Sequence, residues 1–215
     1  LFGEYLAVSD CAVVNFDNEE AVALAGRAQE LVSFAVSNSE ADIAVASGSI
    51  EQGALATTAT LVDNRSGESF PLTVPMPGLH NLSNALAAIA AANAAGVPVA
   101  DAVQALAGFK GLARRFDVVG TSASGITVID DFGHNPEKCA ATLRTLKSSS
   151  GRVLAFFQPH GYGPLRQMGA ELAETFAREL GPEDITLMCD PVYYGGTVDR
   201  SEGSERIIRL IQDAG

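Results

Sequence analysis

The chain has 215 residues and a formal net charge of −12, from 14 Lys and Arg against 26 Asp and Glu. Hydrophobic residues make up 47% and charged residues 19%, the profile of a folded globular protein with one large domain or two small ones. The negative balance excludes nonspecific nucleic-acid binding, which needs a cationic field, and no apolar run is long enough to cross a bilayer.

Cysteine usage points the same way. Cys11, Cys139 and Cys189 are odd in number, widely spaced and without a CxxC pair. They read as buried thiols in a reducing compartment, with the cytoplasm as the default, and not as a disulfide frame or a metal site. No signal-peptide pattern opens the chain. It begins at Leu1 without methionine, which suggests a piece of something longer.

In chain order, Cys11–Phe16 reads as a short apolar strand that ends in Asn15, Asp17 and Asn18. Glu19 to Leu31 shows helical spacing through Val22, Leu24, Ala25 and Ala28, and Leu31–Val36 and Ala41–Ala46 read as strands. Thr58–Val62 and Phe70–Val74 flank Asp63-Asn-Arg-Ser-Gly67, turn residues that predict a β-hairpin. After Pro75-Met-Pro-Gly78, an Ala-rich helix is expected from about Asn81 to Ala95, stopped by Gly96. His80, Asn81 and Asn84 crowd its first turn, where free backbone N–H groups already make a polar site. Asn81 and Asn84 are three apart and so are expected on one side. Their amides carry the donors and acceptor needed to read a purine edge, although an N-cap and a solvated residue would explain them as well. Pro98–Phe109 predicts a second helix.

Gly111-Leu-Ala-Arg-Arg-Phe116 is a polar joint, after which a strand starts at Phe116. Two adjacent arginines here exceed what solubility needs, and Arg115 is the candidate for phosphate or ribose oxygens, with a surface salt bridge as the alternative. From there strands and helices alternate. Gly125–Ile129, Val153–Phe157 and Ile185–Cys189 read as strands. Glu137–Leu146, Met168–Leu180 and Ser204–Ile211 read as the helices that follow them. This βαβαβα order predicts a parallel, doubly wound sheet, with ligands at the carboxyl ends of its strands. Those ends carry Asp130-Asp-Phe-Gly-His134-Asn135-Pro136, then Gln158-Pro-His160 through Arg166, then Asp190 to Thr197. Asn135 suits an N-cap, Pro136 the first helical position, and Glu137 the positive helix end. Asp131, His134, His160 and Arg166 are therefore expected around one crevice, although Asp-Asp-Phe-Gly could also be simple turn chemistry.

Four segments together carry a resemblance. Gly78-Leu-His-Asn-Leu-Ser-Asn84, Gly111-Leu-Ala-Arg-Arg-Phe116, Asp130-Asp-Phe-Gly-His-Asn-Pro136 and Phe157-Gln-Pro-His160 resemble, in order and approximate spacing, the Mur ligases. The likeness is to the branch of UDP-N-acetylmuramate–L-alanine ligase and its muropeptide-recycling relative. The resemblance implies an α/β architecture in two parts. Residues 1–111 would be the C-terminal portion of a P-loop-type ATPase domain without its phosphate loop. Residues 112–215 would be a Rossmann-like, parallel-sheet C-terminal domain lacking its last element.

It further implies ATP-driven amide formation through an acyl phosphate, with Mg2+ helping to neutralise the transferred phosphoryl group. By position, Asn81 and Asn84 fall to the adenine, Asp131 to the ribose hydroxyls and His80 to the nucleotide site. Arg115 becomes the ATP-facing arginine, and the nucleoside would be clasped between the two parts. His134, Asn135, His160 and Arg166 fall to the incoming amino acid or peptide, whose partner substrate would be UDP-N-acetylmuramate. No G-x-x-x-x-G-K-[ST] pattern occurs in the chain, and the family's catalytic acids and modified lysine have no counterpart here, so the chain alone is expected to be inactive. Gly161 and Pro164 stand where the alanine-adding pattern has two arginines, which leaves the added amino acid open and Arg166 as a displaced substitute. A non-catalytic nucleotide- or peptide-binding α/β module, or a ligase like folylpolyglutamate synthetase, remain the other readings. A phosphate loop upstream of Leu1 would separate the ligase from the module.

Overall fold

The computed structural model describes residues 2–53, 55–149, 151–193, 195, 197 and 199–214, residue 149 by its backbone only. The chain forms two compact units, Leu1–Gly111 and Leu112–Gly215.

The first unit is a six-stranded mixed sheet with helices against it. Its elements are α1 (Phe2–Ala7), β1 (Cys11–Asn15), α2 (Glu19–Ala25), β2 (Glu30–Ala35), β3 (Ile43–Val45), β4 (Glu51–Gln52), β5 (Thr57–Asp63), β6 (Glu68–Val74), α3 (Leu79–Ala94) and α4 (Val99–Ala107). Strands β1, β2 and β3 run parallel, β5 is antiparallel to β3, and β6 closes the expected hairpin on β5. The hairpin turn is tied by Asp63, whose carboxylate accepts from the Arg65 amide at 3.0 Å and the Ser66 hydroxyl at 2.8 Å. Helix α2 stops six residues short of the expected Leu31. Asn18 caps its start through the Ala21 amide, but Glu30 and Leu31 are already paired in register with Cys11 and Ala12. A backbone committed to a strand ladder cannot also close helical hydrogen bonds, and Gly26 ends the helix. Val32, Phe34, Ile43, Leu61, Leu72 and Val74 of the sheet pack on Leu82, Leu86 and Ile89 of α3 and on Val99 and Val103 of α4. Each such side chain removed from water contributes about 1.5–3 kcal/mol, and this core fixes where α3 begins.

The second unit contains β7 (Asp117–Thr121), β8 (Thr127–Asp130), α5 (Pro136–Ser149), β9 (Leu154–Phe157), α6 (Tyr162–Glu179), β10 (Ile185–Met188) and α7 (Ser204–Ala214). Parallel pairing holds for β9 and β10, with Leu154 opposite Ile185 and Phe157 opposite Met188. The expected continuous series does not extend to β8. That strand pairs antiparallel with β7, Asp130 opposite Asp117. The loop between them, with Gly125 at φ +82 and its amide on the Ser122 carbonyl, is short enough to favour a hairpin over a crossover. Helix α6 also differs from expectation, starting at Tyr162 and not near Met168. Pro164 falls in its first turn, where a missing N–H costs no hydrogen bond. Cys139 and Leu143 of α5, Phe157 of β9, Leu165, Leu172 and Phe176 of α6 and Ile207 of α7 form the core. Tyr194 and Gly196 of the Asp190–Thr197 loop lie outside the described residues.

Candidate functional site

In the first unit, polar groups gather at the start of α3. Pro75-Met-Pro-Gly78 turns the chain from β6 into the helix, and Gly78 takes φ +97, a region open to glycine at no steric cost. Its amide donates to the buried Thr57 hydroxyl at 3.1 Å, which pins the helix start to β5. No side chain caps α3; the Asn81 and Leu82 amides donate to the Gly78 carbonyl at 3.1 and 3.2 Å. The two asparagines do not share an environment. Asn81 is buried and its Nδ2 donates to the Pro77 carbonyl at 2.8 Å. Asn84 and His80 are exposed. Asn81 therefore spends part of its amide in holding the loop, while Asn84 presents its own to the outside. Three apart in α3 they keep the expected helical spacing, but Asn81 lies at the edge of the buried stripe of Leu82, Ala85 and Leu86 while Asn84 stays exposed.

In the second unit the site is built on the loop after β8. Asp131 is its hub. Oδ2 accepts the Phe116 amide at 2.9 Å; Oδ1 accepts the Gly133 amide at 2.8 Å and the Thr142 hydroxyl at 3.0 Å. The Phe132 amide donates to the Arg114 carbonyl at 2.9 Å, and the Arg115 amide to the Leu112 carbonyl at 3.1 Å. Segment 112–116 is thus an elbow laid along the loop. Two of its non-glycine residues, Arg114 at φ +62 and Phe116 at φ +51, are left-handed. Such conformations persist only where the surroundings over-determine them, and the buried Phe116 ring and the Asp131 carboxylate do so here.

The elbow sends two guanidiniums to one ring. Arg114 lies 4.7 Å over the Phe132 centroid and Arg115 5.7 Å. His134 and His160 meet the same ring at 5.1 and 6.4 Å and stand 6.3 Å from each other. The expected meeting of the first two strand-end loops is therefore present. Cationic and titratable donors on an aromatic platform suit an anionic group such as a carboxylate or phosphate. His134 is oriented by Nδ1 on the Phe132 carbonyl at 3.0 Å.

Two other sequence candidates are occupied elsewhere. Asn135 caps α5, its side-chain oxygen accepting the Lys138 amide at 2.9 Å. Arg166 does not lie in a loop: it sits in α6 and pairs with Asp199 at 2.7 Å. Behind the loop, burial pushes the Cys139 thiol up to about 12, and the Asp131 charge adds to the shift, so this thiol stays protonated. Among the described residues no three His, Cys, Asp or Glu side chains come together as metal ligands, and no helix is long and apolar enough to cross a membrane. Sequence reasoning passed over Phe132 and Thr142. Phe132 sits within a motif that drew attention to its charged neighbours, and Thr142 carries no local signal, since its partner is eleven residues away on the preceding loop.

Family comparison decides what scaffold this is. The model of the Mur ligase middle domain matches residues 1–92, and that of the Mur ligase glutamate ligase domain matches residues 114–215. The chain belongs to the Mur ligase family. A UDP-N-acetylmuramate–L-alanine ligase from Agrobacterium fabrum is 36% identical over 211 residues, covering 94% of this chain and 43% of that protein. A murein peptide ligase from Psychrobacter arcticus is similar in structure, with a TM-score of 0.62 and 26% identity over 99% of this chain and 42% of its own. The UDP-N-acetylmuramate–alanine ligase MurC of Thermotoga maritima shares the fold at a TM-score of 0.65 and 21% identity, over 100% of this chain and 51% of its own. This Mur ligase chain thus spans about half or less of the length of these relatives.

Proposed function

We propose that this chain is part of an ATP-dependent carboxylate–amine ligase that joins an amino acid or peptide to UDP-N-acetylmuramate, in the synthesis or recycling of peptidoglycan precursors. Residues 1–111 contribute the end of the ATPase domain and 112–215 the Rossmann-like ligase domain. ATP supplies the phosphoryl group that turns the substrate carboxylate into an acyl phosphate, which the incoming amine then displaces with loss of phosphate and a proton.

The observation that carries the reading is the elbow of the second unit, anchored by Asp131 at the Phe116 amide, which carries Arg114 and Arg115 over Phe132 beside His134 and His160. In this reading Arg115 faces the phosphates, where a guanidinium lowers the energy of the charge that develops during transfer. Asp131, with three acceptor positions in use, retains one of a carboxylate's roughly four for a ribose hydroxyl. His134 and His160 border the incoming amino acid, with Arg114 as the nearest cation for its carboxylate. Asn135 and Arg166, one spent on a cap and the other on Asp199, act through the loop and helix they hold. In the first unit, exposed Asn84 and His80 are the groups for the adenine, and Asn81 shapes the helix start beneath them. Mg2+ would come with the ATP phosphates, which supply most of its ligands in such sites, and would neutralise part of the transferred charge.

The test is a ligase assay on the complete natural protein with ATP, UDP-N-acetylmuramate and a panel of amino acids and muropeptides, reading phosphate release and the new amide by mass spectrometry. ATP-dependent amide formation with at least one amine supports the reading. Its absence across the panel, from folded protein, overturns it.

A further inference from the structure

We infer that Thr142 is a positioning residue of this ligase: its hydroxyl orients Asp131, Asp131 holds the Phe116 amide, and the elbow so held sets the placement of Arg115. The inference rests on the reading of Arg115 and Asp131 as nucleotide-facing.

Thr142 lies on α5, half-buried, and its hydroxyl reaches off the helix to Asp131 Oδ1 at 3.0 Å. Thr145, one turn on, shows the ordinary alternative: its hydroxyl donates back to the Ala141 carbonyl of the same helix at 2.8 Å. The other donor on Oδ1 is the Gly133 amide, and a Cβ at Gly133 would stand 3.0 Å from that oxygen, so the loop is shaped for close approach to the carboxylate. With Oδ1 held on two sides, the carboxylate plane is set and Oδ2 is aimed at the Phe116 amide. That bond ties one of the elbow's two left-handed residues, and the Phe132 amide ties the carbonyl of the other, Arg114. Arg115 stands between them. Loss of the hydroxyl frees the carboxylate to turn, and water then competes for Phe116. The guanidinium would no longer be pre-placed, and pre-placement is what reduces the cost of binding a phosphate.

The test compares Thr142→Val, which keeps the shape and loses the donor, with Thr142→Ser, which keeps the donor, in the complete natural protein. We expect Val to raise the KM for ATP about tenfold, the scale of one hydrogen bond to a charged acceptor, with a smaller fall in kcat. Ser should return both to within about twofold. In an Arg115→Ala background Thr142→Val should add much less than it does alone, the remainder being what Asp131 itself contributes at the ribose. An unchanged KM for ATP in Thr142→Val, or full additivity with Arg115→Ala, overturns the inference while leaving the ligase reading intact. Hydrogen exchange at the Phe116 amide reads the latch without any activity. Exchange about tenfold faster in Val and unchanged in Ser supports the latch even if no ligase activity is found, and equal protection in all three proteins overturns it.

Discussion

The guanidinium of Arg114 stands 4.7 Å over the Phe132 ring, and that stack, more than its 3.9 Å approach to Asp130, holds the side chain. An exposed ion pair at that distance contributes little, because water screens it and both side chains lose rotamer freedom. A cation on an aromatic face adds about 0.5–1 kcal/mol at an exposed site. Phe132→Leu should therefore weaken the KM for the amine substrate about fivefold, while Asp130→Asn changes it less than about twofold. Steady-state kinetics with the amine varied checks both. Equal effects of the two substitutions would assign the placement of Arg114 to the ion pair.

The asparagines of α3 should part company on substitution. Asn81→Ala removes the donor of the buried Pro77 carbonyl and should cost about 1–3 kcal/mol of stability by urea unfolding. Asn84→Ala, exposed, should stay within about 0.5 kcal/mol in the same measurement, yet weaken adenine-nucleotide binding by calorimetry.

Asp184 makes the second unit acid-sensitive. Burial alone would raise its pKa. The Lys147 ammonium at 2.8 Å and the Gly181 and Val153 amides outweigh that and hold it down at about 2. A carboxylate whose folded pKa is depressed contributes its full stability above the ordinary carboxylate range, and loses it as pH falls toward the folded value. The urea midpoint should therefore drop between pH 5 and about pH 2, and Asp184→Asn should be less stable at neutral pH with a shallower drop across that window. A parallel pair of pH profiles would remove Asp184 as the cause.

Native protein at pH 8 should leave Cys139 unmodified by a disulfide reagent, since only the thiolate attacks and burial holds this thiol at about 12. Cys11 and Cys189 are partly exposed. Denaturant should release Cys139 to the reagent, and peptide mapping identifies it.

Gly169 of α6 lies against Ile207 of α7. A Cβ there would collide with Cδ1 of Ile207, which is fully buried and has no space to yield. Gly169→Val should destabilise the unit by about 1–3 kcal/mol through overpacking, read as a lower urea midpoint.

Much of this was legible along the chain. The hairpin after Asp63, the α3 helix and the cap, proline and acid that open α5 follow from local rules, each acting within a few residues. The errors arose where a local pattern met a partner far away. Helical spacing ran on past Ala25, but Glu30 had a strand to join at Cys11. Gly163 and Pro164 looked like loop residues, yet α6 absorbs them in its first turn. Asn81 and Asn84 looked alike, and only the packing around α3 buried one and left the other exposed.

By itself the sequence determined the order of elements, the polar strand ends and the motif set that marks the Mur ligase family, because capping, turn and periodicity preferences are written within a few residues. The tertiary structure alone decided that Asp131 would join Phe116 to Thr142, that Phe132 would gather two arginines and two histidines, and that Arg166 would leave the site for Asp199. Those contacts link positions separated by up to 33 residues. Their geometry exists only once the core has closed around them.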